Sequence, residues 1–142
     1  MQQFDAAQRD VGVYYAVYAP DAKIVVTLYV YPRPASGGTP VSLDQIAPAE
    51  VEEVTRRHAP AVTREPALAP PSPGGAAECR GTEFSYEDVF SLRRQPLSSF
   101  LWVCLRGERL VKYRITFPVG DREAALPAIR DLLAQWTWLP EP

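Results

Sequence analysis

Ser98–Phe117 reads SSFLWVCLRGERLVKYRITF, two β-branched and aromatic runs on either side of Arg106-Gly107-Glu108-Arg109. Gly at the first central position suits a two-residue type II′ hairpin turn. With Gly107 and Glu108 as the loop, Cys104 faces Val111, Trp102 faces Tyr113 and Phe100 faces Ile115, one wholly apolar face. The opposite face pairs Leu105 with Leu110, Val103 with Lys112 and Leu101 with Arg114, apolar on one strand and largely cationic on the other. A slip of one residue would mix the two sets, so side-chain pattern and turn chemistry specify the same register.

Working outward, Val11–Ala19 and Lys23–Tyr31 form a second hairpin around Pro20-Asp21-Ala22. Opposing Ala19 to Ile24 puts Val17/Val26, Tyr15/Leu28 and Val13/Val30 on an aliphatic face. Tyr14, Tyr18, Tyr29 and Tyr31 then share the other face. Residues 1–10 are polar and read as a lead-in or a short edge element. Pro32–Pro40 reads as loop. Ser42-Leu43-Asp44-Gln45 has the form of a capping box, and Pro48 predicts a short turn of helix followed by a restart running to about His58. Val62-Thr63-Arg64 is a candidate short strand, and the proline-rich stretch 60–77 a surface excursion. Thr82–Arg93 alternates Phe84, Tyr86, Asp88 and Phe90 against Glu83, Ser85, Glu87 and Val89, which favours a half-buried strand over a short helix from Ser85. Pro96 reads as the separator before the 98–117 hairpin. Leu126, Ile129, Leu132, Leu133 and Trp136 form a helical stripe, capped at Asp121 or starting near Ala125 so that Pro127 falls in the first turn, with Trp138 and Leu139 folding back over an edge. The order is β-β-α-(β)-β-β-β-α: a single α+β domain over residues 1–142, with a mostly antiparallel sheet flanked by a central and a C-terminal helix.

The bulk properties bound the function. At 142 residues and 46% hydrophobic content the chain is long and apolar enough for one core, burying roughly two-thirds of its unfolded surface. A net charge of −2 gives no electrostatic footprint for nucleic acid. No apolar run approaches the ~20 residues of a membrane span, and the polar Met1-Gln2-Gln3 start carries no signal peptide. Cys79 and Cys104 match no zinc spacing. They either form a disulfide worth ~3 kcal/mol in an oxidising compartment, or are a loop thiol and a small buried hydrophobe.

A Gly-aromatic first strand running into VVTLYVYP (Gly12 to Pro32), with SSFLWVCLRGERLVKYRITFP (Ser98–Pro118) and a C-terminal amphipathic helix, resembles a group of small, usually exported bacterial proteins, largely uncharacterised. Their late hairpin ends in a K-x-R-x-[TS]-[YF]-P run, matched by Lys112, Arg114, Thr116, Phe117 and Pro118. The layout is similar to the PsbP/Mog1/DcrB-like fold, an antiparallel sheet sandwiched by helices. The resemblance covers about half the chain and implies architecture and export to the periplasm. It names no catalytic residue, and a fold analogy does not license a function.

The residues themselves offer little chemistry. His58, the sole histidine, reads as a helix C-terminal group interacting with the last carbonyls. Glu50/Glu52/Glu53 and Glu87/Asp88 read as solvated faces, and Gly37-Gly38 and Gly74-Gly75 lack the context of a phosphate loop. No catalytic residue, metal site or cofactor is implied. The anomaly is aromatic: five of seven tyrosines lie between Tyr14 and Tyr31. If Lys112 and Arg114 lie on the same side of the sheet as Tyr14, Tyr18, Tyr29 and Tyr31, the result is an aromatic surface rimmed by cations, fit for a protein or anionic partner, unless a helix packs across the rings. Three functions follow as expectations. The first is a non-enzymatic accessory domain of the bacterial envelope, such as the soluble part of a lipoprotein whose leader is missing here; a cytoplasmic location is the alternative. The second is an immunity, adaptor or chaperone protein that binds a toxin or secreted effector. The third is a small-molecule carrier or enzyme, which requires a deep pocket between sheet and helix.

Overall fold

The computed structural model describes residues 2–3, 11–19, 22–71 and 78–135. In chain order these form β1 (Gln2–Gln3), β2 (Val11–Ala19), β3 (Ala22–Pro32), β4 (Ala35–Ser36), β5 (Thr39–Pro40), α1 (Leu43–Arg57), β6 (Val62–Arg64), β7 (Glu78–Phe90), β8 (Arg93–Arg106), β9 (Arg109–Pro118), a 3₁₀ turn Val119–Asp121 and α2 (Arg122–Ala134). The architecture is α+β. Seven strands form one sheet in the order β1-β2-β3-β9-β8-β7-β6, every ladder antiparallel, and β4-β5 is a separate small hairpin.

The β8–β9 register is the one the turn chemistry predicts. Gly107 takes φ +57, as the first residue of a II′ turn requires, and Trp102 lies opposite Tyr113. The β2–β3 hairpin closes two residues tighter than expected, with Ala19 opposite Ala22 and Tyr15 opposite Val26. Since side chains alternate with period two, that shift leaves both face assignments intact. β3 then pairs with β9, Leu28 against Tyr113 and Tyr29 against Lys112, joining the two hairpins into one sheet.

Each face of the sheet carries a helix. One core gathers Ile24, Val26, Phe100, Trp102, Tyr113, Ile115 and Phe117 beneath Ala125 and Ile129 of α2. The other gathers Phe84, Tyr86, Leu97, Leu101, Val103 and Leu110 beneath Leu43, Ile46 and Val54 of α1. Alternating strand residues feed opposite cores, which explains why both hairpins are apolar on both sides. Leu126, Leu132 and Leu133 are partly buried against the α2-side core, and Trp136, Trp138 and Leu139 lie outside the described residues, as do 4–10 and 72–77.

Prolines account for most differences from expectation. α1 is continuous through Pro48 and α2 through Pro127, each the sixth residue of its helix, and α2 begins at Arg122 rather than near Ala125. A proline there removes one i→i−4 bond and costs about 3 kcal/mol, which the buried faces of Ile46/Ala47 and Ala125/Ile129 offset. Pro96 lies inside β8 instead of separating elements. The bridged pair Cys79/Cys104 has a Cα separation of 4.1 Å, the narrow, non-hydrogen-bonded spacing, so even-numbered β8 residues turn their N–H away from β7. At Pro96 that direction is open, because β9 ends at Pro118 opposite Leu97. A donor missing there breaks no ladder bond. β7 and β8 are joined by Ser91 and Leu92, both left-handed at φ +51 and +65, the backbone of a I′ turn without the usual Asn or Gly. The proline-rich excursion is not merely superficial, since Leu68 is buried in the α2-side core.

Candidate functional site

Ladder positions put Tyr14, Tyr18, Tyr29 and Tyr31 on the α1 face of the sheet together with Lys112 and Arg114. The register thus brings all six candidate positions to one side. Side chains are described for Tyr29, Lys112 and Arg114. Tyr29 is half-buried, and the Lys112 ammonium lies 4.9 Å from its ring centroid. The same ammonium donates to Glu50 of α1 at 2.9 Å, both side chains being about four-fifths buried. Glu50 is therefore an interior partner for the sheet, not part of a solvated acidic face.

Arg114 is turned inward. Its Nε and Nη2 donate to Ser99 Oγ at 3.2 and 2.9 Å, and Nη2 donates to Tyr86 Oη at 3.1 Å. Ser99 Oγ also shares a hydrogen with Thr116 Oγ1 at 2.8 Å. The guanidinium stands 5.9 Å from the Phe84 ring centroid. Both cations of the expected rim are thus engaged within the fold.

The α1 helix packs on β7 and β8, with Val25 of β3 partly buried at the margin of its core. Its C-terminus is fastened by a string of polar groups. His58 is the C-cap, but its ring does not reach back to the last carbonyls. Nδ1 sits 2.9 Å from Asp88 Oδ2, and the imidazole stacks on Tyr86 at 4.1 Å between centroids. The Val89 backbone N–H, donating to Asp88 at 2.7 Å, outweighs partial burial and with His58 holds the Asp88 carboxyl below its ordinary range. The ionised carboxylate accepts, so Nδ1 carries the proton. Position and stacking make this pair a fastening between helix and sheet.

Glu83, which alternation sets on the face opposite Phe84, is fully buried. Its carboxylate accepts from Arg64 Nε at 2.8 Å and from Arg64 Nη2, from Arg122 Nη1 at 2.9 Å, and from the Ala67 backbone N–H at 3.2 Å. Arg122 Nη1 also donates to Ser98 Oγ at 3.3 Å. Burial alone would raise the Glu83 pKa, but two guanidiniums and the amide win and hold it below the usual 4.5. This junction ties the sheet, the excursion after β6 and the start of α2 at a single carboxylate. Arg64 and Arg122 lie 19 and 39 residues away along the chain, so no local pattern announces it.

Cys79 and Cys104 are joined by a disulfide across the β7–β8 ladder. Among the described residues no group of three or more His, Cys, Asp or Glu could hold a metal, and no helix is long and apolar enough to cross a membrane. A cleft of about 340 Å³ at the start of α1 is lined by Arg33, Asp44, Glu78 and Arg80. Its charges are partly spent internally, Arg80 on Asp44 at 3.1 Å and Arg33 Nε on the Val41 carbonyl at 3.1 Å.

No protein-family model matches the chain, and no curated protein matches it either. Among solved structures it is similar to PA94 of Pseudomonas aeruginosa, a protein of unknown function for which a regulatory role has been suggested. The TM-score is 0.64 at 11% identity, covering 96% of this chain and 89% of that one. At that identity the likeness is one of fold.

Proposed function

We propose that this chain is a non-enzymatic interaction domain that receives a protein partner on the tyrosine-bearing half of the α1 face. One observation carries the reading: α1 covers the β7–β8 half of that face, while four tyrosine positions concentrate on the β2–β3 half. Tyrosine offers a rigid amphipathic surface at low entropic cost, the composition of binding patches. With Lys112 committed to Glu50 and Arg114 to Ser99 and Tyr86, the partner that fits is an apolar or aromatic protein segment rather than an anion.

The disulfide supports a place in an oxidising compartment, in keeping with an exported envelope protein such as the soluble part of a lipoprotein. Binding of a toxin or secreted effector is the second reading and would use the same surface. A photo-crosslinking residue placed at Tyr29 or Tyr14, with a control at exposed Arg130 on α2, tests the surface in the native cell. A discrete crosslinked product from the tyrosine positions alone is the expected result. Equal labelling from Arg130, or none from the tyrosine positions, overturns the proposal.

A further inference from the structure

The outer edge of β2 carries an inference independent of the proposed partner. β1 pairs only with Val11 and Gly12, so among the described residues nothing pairs with the outer side of β2 from Val13 to Ala19. Which backbone groups point outward follows from the ladders. The narrow Cys79/Cys104 pair sends the backbone groups of Cys104 toward β9, and the uninterrupted one-to-one registers carry the alternation across Val111, Val30 and Val11. The odd-numbered β2 residues bond β3; Tyr14, Ala16 and Tyr18 present N–H and C=O to the outside.

Among the described residues this edge carries none of the protections that sequence supplies. VYYAVYA (Val13–Ala19) has no charge, proline or glycine and is rich in β-formers. The opposite edge contrasts with it: β6 is three residues long, lies between Pro60 and Pro66, and ends in Arg64. Antiparallel pairing of β2 with its own copy about a two-fold axis at Ala16 sets Tyr14 against Tyr18, Ala16 against Ala16 and Tyr15 against Val17. All three outward residues then exchange hydrogen bonds with those of the second copy. Aromatic–aromatic and aromatic–β-branched pairs are the favoured cross-strand combinations, and no like charges meet. Centring the axis one residue away at Tyr15 or Val17 wastes outward groups or needs Gly12, which β1 already occupies. We propose that the protein forms a two-fold homodimer through β2, continuing the sheet across two copies.

Sedimentation equilibrium of the full chain at up to about 100 μM tests this directly. The expected mass is twice 15.8 kDa; a wild-type chain that remains monomeric overturns the proposal. Ala16→Pro deletes an outward donor while leaving the β2–β3 ladder intact and should yield a folded monomer. If Ala16→Pro fails to fold, Ala16→Lys and Ala16→Glu decide. Each places like charges face to face at the axis and should weaken self-association about tenfold or more, while their mixture restores a heterodimer. Unchanged dimerisation of both charged variants, or no recovery on mixing, refutes the β2 axis.

Discussion

Replacing Glu83 with Gln tests whether a buried carboxylate holds three parts of the fold together. The amide keeps an acceptor for the Ala67 N–H but loses the charge that faces Arg64 and Arg122. Removing one partner from a buried ion pair costs about 3–5 kcal/mol, because the remaining charge is stranded. Arg64 and Arg122 retain 50% and 30% side-chain exposure, so they can rehydrate in place. That lowers the expected loss to about 2–4 kcal/mol for Glu83→Gln, or on the order of 5–15 °C in Tm for a chain of this length.

The pH dependence gives a second readout. A folded-state pKa held below 4.5 contributes stability that is fully present above the unfolded value and is lost as pH falls through the folded one. Urea unfolding followed by far-UV circular dichroism, at neutral pH and then stepwise below pH 4.5, should show wild type and variant converging as the solution is acidified. A variant within about 0.5 kcal/mol of wild type at neutral pH would refute the clamp. So would a gap that stays constant down the acid limb.

Three further outcomes follow from the same geometry. Gly81→Ala puts a Cβ 2.7 Å from Cδ1 and Nε1 of the fully buried Trp102 and 3.1 Å from Pro66 Cγ; a loss of about 2–3 kcal/mol in urea unfolding is expected, and none would mean the indole has room to move. Pro48→Ala restores an N–H within an exposed helical turn and should stabilise by about 1–2 kcal/mol, partly offset by the freer unfolded chain; a fall in Tm would refute this account of α1. Cys79→Ala with Cys104→Ala opens a link across a separation of 25 residues and should cost about 3.5 kcal/mol by chain entropy, checked against wild type under non-reducing conditions. Two reactive thiols in non-reduced, denatured wild type would exclude the bridge.

What was readable in advance was whatever repeats locally. The pairing of Trp102 with Tyr113 follows from alternation plus a Gly-first turn, and the faces of β2–β3 survive a two-residue error in register because two is the strand period. The β7–β8 hairpin was missed for the converse reason. Ser91-Leu92 is not turn chemistry, and Pro96 reads as a stop until the neighbouring strand is known to have ended. Of the candidate surface, parity made legible that Lys112 and Arg114 share one face of their hairpin and the tyrosines one face of theirs; that the two faces coincide was decided by the β3–β9 register. The inward turn of Arg114 onto Ser99 and Tyr86 was not legible, since it depends on which side chains from other strands lie within reach.

By itself, then, the amino-acid order determined the class of fold, the two hairpins, their faces and the need for a helix on each side. These rest on side-chain period and turn stereochemistry, which act over a few residues. Only the assembled structure decided that Glu83 lies inside, that Cys79 meets Cys104, that Pro48 and Pro127 remain helical, and that α1 covers one half of its face. Each depends on groups brought together from distant parts of the chain, where a buried charge or a missing donor is tolerated only because a particular partner, or open space, is there to meet it.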